Sequence, residues 1–450
     1  MIELKFKFIK EEVLKTLTLA YPVIIGQLGL IMMGVVDSIM VGRLGAVPLA
    51  AASLGNSLIF LILIIGIGSS IVVSPLVAIS VGAKKFTECG IYFRQSLLVN
   101  IILSIVMICI ILIGINFINF LNQPSEVAEL AIIYMIIVGF SAIPLMIYQT
   151  YKQFIEGLSV MKPAMIITLA ANLINAFINW ILIFGNLGFP KLGLAGAAWA
   201  TFSSRVFMAL VIMFYVMKSN KFKKYDVTFH FKGLNFPVIK KILRLGLPSG
   251  FQYFFEVGAF SFAVIMIGWI GANQLAAHQI AINLASISFM AILGISQAAS
   301  IRVGNALGEQ DKMKIRKAGF TAIALGAFVQ CFSGIIFIVF NHLLPQLYIN
   351  DPIVISIASE LLIIAALFQI SDGVQGVGIG VLRGLTDIKG PTLITFIAYW
   401  VISLPVGYLL AFVFNFGVYG VWVGLLIGLT VSAIMLTFRF NYKSKFAIEF

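Results

Sequence analysis

Three acidic residues lie inside otherwise apolar, membrane-length runs of this sequence: Asp37, Glu256 and Asp372. A charge at the centre of a membrane-spanning helix costs roughly 2.5–3.5 kcal/mol on insertion scales. Such residues are therefore usually functional and face the interior of a helix bundle. Because all three are acids, they predict a site that handles cations.

The composition indicates what kind of protein carries these acids. Of the 450 residues, 61% are apolar and only 10% are charged, whereas soluble domains carry about 25% charged residues. The chain is therefore expected to be an all-α polytopic membrane protein. Its three cysteines are far apart and have no metal-binding or redox spacing. No nucleophile–base pattern is present, so neither an enzyme nor a bound cofactor is expected.

The elements that must position the acids are membrane helices, each of which needs about 20 mostly apolar residues. Six apolar runs lie in each half of the chain, and each is predicted to span the membrane. Their approximate bounds are 16–41, 53–80, 95–118, 130–150, 164–185, 194–217, 246–268, 276–301, 318–341, 361–382, 391–413 and 418–438.

The basic residues predict the orientation of these spans. All but three of the 30 Lys and Arg residues lie at the termini, in loops after even-numbered spans, or beside those loops. The exceptions are Arg43 and Lys191 in the opposite loops and Arg205 within a span. By the positive-inside rule both termini are cytoplasmic. The net charge of +13 then needs no nucleic-acid partner, although anionic inner-leaflet lipids would favour this surface.

The second half of the chain repeats the first at an offset of about 226 residues. The matched positions share their residue type, and they include Pro22 with Pro248, Gly42 with Gly268, Gly45 with Gly271, Leu49 with Leu275 and Gly82 with Gly308. The expected organisation is an N-terminal lobe (1–217), a basic linker (218–241) and a C-terminal lobe (242–450). Six spans per lobe give both lobes one orientation, with a pseudo-two-fold axis along the membrane normal and a chamber between them. The linker is expected to be cytoplasmic and solvated.

The acids do not follow this repeat. Asp37 corresponds to Ala263 and Glu256 corresponds to Leu30. A residue that merely stabilised the fold would tend to recur in both copies. The asymmetry therefore argues that the acids serve function rather than folding.

Helical rise places two of the acids at one depth. Glu256 and Asp372 each lie ~15 Å from the inner end of their span, at 1.5 Å per residue. Two carboxylates from different helices near mid-bilayer are predicted to form one cation site in the C-terminal lobe.

Asp37 lies nearer the outer end of the first span, at about the level of Asn179 and Thr201. Asn175 and Asn179 are four residues apart and so share a helix face. Carboxylate, amide and hydroxyl oxygens suit a small hard cation or a protonation network. Two alternatives stay open: Asp37 paired with Arg43 at the interface, and the Asn pair as interhelical glue.

Carboxyls in apolar surroundings favour their neutral form, and a nearby cation favours the charged form. Proton, Na⁺ and a cationic substrate would then compete for the same oxygens. Each occupancy could favour a different packing of the lobes, within the limit set by differential affinity. This chemistry predicts exchange of one cation for another.

Several stretches resemble the multidrug and toxic compound extrusion (MATE) family, and within it the NorM-like branch. They are D-S-I-M-V-G-R-L-G from Asp37, G-L-P-S-G-F-Q-Y-F-F-E from Gly246 and L-A-A-H-Q-I-A-I-N from Leu275. The acid pair in the seventh and tenth spans is the specific part, because the DinF-like branch lacks it. The resemblance implies a twelve-helix, two-lobed antiporter of the bacterial inner membrane that exports organic cations in exchange for Na⁺ or H⁺.

The resemblance also implies roles for individual residues. Glu256 and Asp372 would form the C-lobe cation site, with Na⁺ the favoured coupling ion. The N-lobe polar network would consist of Asp37, Asn175, Asn179 and Thr201. One departure is Phe368, one turn before Asp372, where some relatives have a Tyr hydroxyl.

Aromatic faces attract organic cations, so some side chains near the acids could contact substrate in the chamber. The candidates are Met32, Met33, Phe254, Phe255, Phe260 and Gln279. Side chains of these types inside a helix bundle more often serve simple helix packing.

Three other functions fit the sequence less well. A major-facilitator drug/H⁺ antiporter usually has a charged Gly/Asp/Arg motif after its second span, and the sequence there, S-V-G-A-K-K-F-T-E-C-G, lacks it. A lipid-linked glycan flippase expects basic residues in its chamber, and only Arg205 is available. A channel is disfavoured by duplicated lobes with unequal acids. A unit with an internal chamber is expected to work as a monomer, with small organic cations and Na⁺ or H⁺ as partners.

Overall fold

The fold was taken from a computed structural model that describes residues 2–121, 124–227 and 233–446. Within these residues the chain is helical and contains no strand. The α-helices are α1 (Ile2–Gly42), α2 (Ala46–Ser70), α3 (Val73–Gly82), α4 (Phe86–Ile115), α5 (Ser125–Phe140), α6 (Ala142–Gly157), α7 (Lys162–Phe184), α8 (Leu194–Lys218), α9 (Phe236–Ile270), α10 (Ala272–Gly308), α11 (Lys312–Val339), α12 (Leu343–Gln346), α13 (Pro352–Gly384), α14 (Lys389–Phe396), α15 (Leu404–Tyr408) and α16 (Gly417–Lys445).

Twelve segments among the described residues are long and apolar enough to cross a membrane, which confirms the predicted number. Two of them contain a break, between α2 and α3 and between α5 and α6. Several helices extend past the apolar run that predicted them; α10 covers 272–308 rather than 276–301. Backbone hydrogen bonding continues into the polar ends of a helix, and hydropathy alone does not detect those ends.

The chain forms two compact units, one of residues 25–250 and one of residues 1–24 together with 251–450. These bounds differ from the proposed lobes because the first half of α1 packs in the second unit. There, a Cβ added at Gly294 of α10 would lie 2.9 Å from the Ala20 carbonyl oxygen. The first half of α9 packs in the first unit, where a Cβ at Gly250 would lie 2.4 Å from the Ile65 carbonyl oxygen. In each unit a glycine allows the incoming helix to approach closely.

The described part of the linker is anchored on its unit by two aromatic side chains, while Lys218, Lys221, Lys223 and Lys224 are exposed. Phe222 and Tyr225 are buried. Arg94 donates to both the backbone and the side-chain oxygens of Asp226. A Cβ at Gly90 would collide with the Tyr225 carbonyl oxygen. The many lysines of the linker gave no indication of these two aromatic anchors. Residues 228–232 lie outside the described part of the chain.

Local signals start and stop the helices that carry the polar residues. Asp351 accepts hydrogen bonds from the backbone N–H groups of Ile353 and Val354, and Pro352 opens α13, as expected for a capped helix start. Helix α7 begins with a proline in its first turn and ends at Gly185 in the left-handed conformation (φ 77°). These ends set the register of the residues between them.

Helix α13 packs against α10, α11 and α16. It approaches α11 closely at a glycine pair, because a Cβ at Gly373 would lie 2.7 Å from the Gly326 carbonyl oxygen. The eleventh span is not a regular α-helix: π-helical turns cover Ile397–Ser403 and Leu409–Val413. The ring of Pro405 clashes with a carbonyl one turn earlier in an α-helix, and a wider turn relieves that clash.

Candidate functional site

The structure brings Glu256 of α9 and Asp372 of α13 into one polar cluster. Gln375 is three residues after Asp372, so both lie on one face of α13. The Gln375 amide Nε2 donates to Glu256 Oε1 at 3.2 Å. Gln375 therefore places the Glu256 carboxylate beside the face of α13 that carries Asp372. Thus two acids 116 residues apart in the sequence share one interior site.

Asp372 is also held by a chain of amides. Gln330 of α11 donates through Nε2 to Asp372 Oδ2 at 3.4 Å and to Gln369 Oε1 at 2.8 Å. Gln369 in turn donates to the Ser288 hydroxyl of α10 at 2.6 Å. Both glutamines are fully buried. Hydrogen bonding therefore links α10 and α11 to the acid of α13.

Tyr399 supplies a hydroxyl from the π-helical segment. Its Oη lies 2.8 Å from Gln375 Nε2 and 3.0 Å from Gln375 Oε1. Gln375 Nε2 donates to both Tyr399 Oη and Glu256 Oε1, and the Tyr399 hydroxyl donates to Gln375 Oε1. Phe368, where a Tyr was noted in some relatives, is buried instead against Trp422, with ring centroids 5.4 Å apart. The phenol of this cluster thus comes from the eleventh span.

Two carboxylates in an apolar interior repel each other when both are ionised. The repulsion falls when one carboxyl takes a proton or when a cation lies between them. Both acids lie within predicted and observed spans, where water screens little. This arrangement can therefore exchange a proton for another cation.

A second polar cluster lies in the unit of residues 25–250. Asn179 of α7 donates through Nδ2 to Asp37 Oδ1, and also to Asn175 Oδ1 at 3.1 Å. Thr201 of α8 donates to Asp37 Oδ2 at 3.2 Å. All four predicted N-lobe residues therefore meet. No ion pair joins Asp37 to Arg43 among the described residues, so the alternative of an Asp37–Arg43 pair at the interface finds no support there.

Arg205 lies one turn beyond Thr201 on α8, so it is on the same helix face. Its guanidinium donates to the Ser141 hydroxyl at 2.7 Å and interacts electrostatically with Asp37. Arg205 is the one Lys or Arg residue that lies within a predicted span. It supplies a fixed positive charge near the single carboxylate of this cluster.

The substrate candidates have different environments. Met33 is buried in the core with residues of α3 and α4, whereas Met32 is exposed. Phe255 packs on Phe254 and Phe396, and Phe260 packs on Tyr399 with centroids 5.8 Å apart. Gln279 is exposed and contacts Asn283 at 3.4 Å. Burial makes Met33 a packing residue in this conformation.

Sequence reasoning missed Gln330, Gln369, Gln375 and Tyr399. A signal was available for two of them, because Gln369, Asp372 and Gln375 recur every three residues in an apolar run. No comparable signal identified Tyr399, since the π-helical turns change the helix face on which it lies. The ligands near the acids are oxygens and amides; the described residues contain no group of three or more His, Cys, Asp and Glu that could hold a metal ion. Such ligands suit Na⁺ or a proton better than a transition metal.

The MatE family profile matches two segments, residues 22–181 and 248–409. Their starts are 248 − 22 = 226 residues apart, the offset of the internal repeat. The Mesorhizobium japonicum protein described as a probable multidrug resistance protein NorM is 37% identical over 97% of this chain and 95% of its own length. The multidrug resistance protein MdtK of Photorhabdus laumondii is 34% identical over 98% and 97%.

Solved structures show the same fold. A MATE crystal structure in the bent conformation superposes with a TM-score of 0.89 at 22% identity, covering 98% of this chain and 96% of that one. The eukaryotic MATE transporter AtDTX14 gives a TM-score of 0.88 at 21% identity, covering 98% and 99%. At these identities the comparison concerns the fold alone.

Proposed function

Because this chain belongs to the MatE family and has relatives named for multidrug resistance, we propose that it is a secondary active antiporter. It exports lipophilic organic cations in exchange for Na⁺, or alternatively H⁺, by alternating access. The observation that carries the proposal is the placement of both acids in one region of the bundle, where Gln375 donates to Glu256 and Gln330 donates to Asp372. An apolar helix bundle has little reason to hold two adjacent acids unless a cation binds to them.

The chemistry of exchange follows from this pair. An incoming Na⁺ is held by carboxylate oxygens, with amide and hydroxyl oxygens completing its shell. The Na⁺ relieves the repulsion between the acids and stabilises the lobe packing in which they are closest. Release of Na⁺ permits the other packing. The gradient can drive export only by the difference in affinity of the two packings for each ligand.

The N-lobe cluster is proposed as a second, unequal site. Asp37 is its one carboxylate, and its oxygens accept from Asn179 and Thr201. With one carboxylate and the positive charge of Arg205 nearby, this cluster offers less net negative charge to a Na⁺ ion than the C-lobe pair does. We assign protonation to this cluster and Na⁺ to the C-lobe pair.

The proposed location is the bacterial cytoplasmic membrane, with both termini in the cytoplasm. The distribution of Lys and Arg supports this orientation. Each chain carries both cation clusters, so a monomer suffices for the cycle.

The experiment measures ethidium efflux from vesicles under imposed Na⁺ or H⁺ gradients, each applied separately. Glu256→Gln and Asp372→Asn should abolish efflux while the protein remains in the membrane. Glu129→Gln is the matched control, since this exposed glutamate lies outside both clusters. Normal efflux by both site variants would overturn the proposal, and efflux driven only by H⁺ would reassign the coupling ion.

A further inference from the structure

A groove on the unit of residues 251–450 runs between α11, α13 and α16. It has a volume of about 470 Å³, within the range of organic-ligand sites of ~300–1,000 Å³. Apolar side chains dominate its wall, among them Phe320, Ile370, Val374, Ile434 and Phe438. It is separate from the acid pair, although its wall includes Ser371, the neighbour of Asp372.

The length of the groove matches one leaflet of a bilayer. On α16 it extends from Asn441 to Thr430, which is ~16 Å at 1.5 Å per residue. Half of a typical hydrocarbon core is ~15 Å. The deep end offers little to a polar ligand, because the Ser371 and Thr430 hydroxyls bond each other at 2.9 Å.

Arg316 lies at the other end of the groove. Its guanidinium donates to the Asn441 carbonyl and side-chain oxygens at 3.2 and 2.9 Å and to the Ser444 hydroxyl at 2.8 Å. It also lies 5.1 Å from the centroid of the Phe320 ring. Both Asn441 and Phe320 line the groove.

The partners of Arg316 are neutral, and no carboxylate of the described residues forms an ion pair with it. Arg439 on α16 differs in this respect, because it is ion-paired with Asp387 at 2.6 Å. Among residues 2–121, 124–227 and 233–446, no carboxylate therefore compensates the positive charge at the mouth of the groove. Basic pockets between membrane helices on the cytoplasmic side attract anionic lipid head groups.

We propose that this groove binds one acyl chain of an anionic phospholipid, with the phosphate on Arg316. The apolar wall and the one-leaflet length of the groove match an acyl chain. The Arg316 guanidinium, which has only neutral partners among the described residues, matches the phosphate. A transported organic cation fits less well, because Arg316 would repel it. The inference rests on the cytoplasmic orientation proposed above, since only then does Arg316 lie at the inner-leaflet head groups.

Native mass spectrometry of the purified full chain, titrated with phosphatidylglycerol or phosphatidylcholine, tests this proposal. The wild type should retain phosphatidylglycerol at an about fivefold lower lipid concentration than phosphatidylcholine. This factor is the contribution that one basic residue makes to binding an anionic lipid. Arg316→Gln should equalise the two lipids, and Arg316→Lys should restore most of the preference. Ile434→Trp, which fills the groove from its exposed wall, should reduce retention of both lipids.

Lys314→Gln is the matched control, because it removes the same charge from an exposed position two residues earlier on α11. An unchanged lipid preference in Arg316→Gln would overturn the proposal, as would an equal loss in Lys314→Gln. Displacement of the lipid by ethidium would instead identify a drug site. Because the measurement uses no ion gradient, its failure leaves the exporter proposal intact, and failed efflux leaves the lipid site intact.

Discussion

The Tyr399 hydroxyl holds the Gln375 amide that donates to Glu256, so Tyr399→Phe tests the C-lobe cluster without touching either acid. Gln375 and Tyr399 are both fully buried. Removing the hydroxyl leaves the Gln375 oxygen, 3.0 Å away, without that donor. An unsatisfied buried polar group costs about 1–3 kcal/mol.

That cost converts into an expected change in transport. If the cation-bound packing needs the ordered amide, the coupling-ion concentration for half-maximal efflux should rise. At 1.4 kcal/mol per factor of ten, the rise is roughly 5- to 100-fold. The maximal rate should change less, because Glu256 and Asp372 remain in place. A rise in the half-saturating ion concentration with little change in the maximal rate is expected for a positioning residue. A variant that folds poorly would instead lower the efflux rate at every ion concentration.

The assay measures ethidium efflux from proteoliposomes over a series of Na⁺ gradients, with thermal unfolding of the purified protein measured alongside. Tyr408→Phe is the control, because Tyr408 is exposed and lies in the same span. An unchanged half-saturating concentration in Tyr399→Phe would refute the reasoning. Equal effects in both variants would also do so.

Three further changes test other parts of the structure. Asn179→Ala should slow efflux about tenfold or more, because Asp37 loses a charge-assisted hydrogen bond worth about 1.5–3 kcal/mol. Gly373→Ala should lower the free energy of unfolding by about 1–3 kcal/mol in a denaturant titration, since the added methyl overpacks the contact with α11. Arg94→Gln should release the docked linker, and trypsin should then cleave within 218–227 several-fold faster.

Each of these predictions has a control on the same surface or of the same chemistry. Asn116→Ala is the control for Asn179→Ala, because it changes an exposed asparagine outside the cluster. Gly114→Ala adds a methyl where no atom lies within 4 Å. Lys85→Gln is the control for Arg94→Gln, because it removes an exposed positive charge from the region against which the linker packs. Similar effects in variant and control would contradict the corresponding explanation.

Much of the fold was predictable because membrane burial imposes strong local constraints on the sequence. Each span must be apolar over about 20 residues, so the twelve spans could be counted directly. The repeat at Pro22 and Pro248 reappears in the two segments matched to the MatE profile. The aromatic anchors of the linker were not predicted, because its lysines indicated solvation and marked neither Phe222 nor Tyr225.

The candidate sites were predictable only where charge or spacing marked a residue. The acids stood out because an ionised group is costly inside a membrane. The spacing of Asn175 and Asn179 indicated a common face, and the structure adds which carboxylate they reach. Neutral polar residues such as Gln330 carry no comparable signal, since glutamine also occurs as an interhelical hydrogen-bonding residue.

The sequence by itself determined the span count, the duplication and the identity of the buried acids, since each follows from composition or recurrence along one chain. Only the tertiary structure decided which acids meet and which neutral groups hold them. Glu256 reaches Gln375 because α9 and α13 pack in one unit, and Gln330 reaches Asp372 because Gly326 and Gly373 let α11 approach. Tyr399 joins them through π-helical turns beside Pro405. Contacts between helices depend on packing and helix rotation, and neither can be read from the periodicity of a single span.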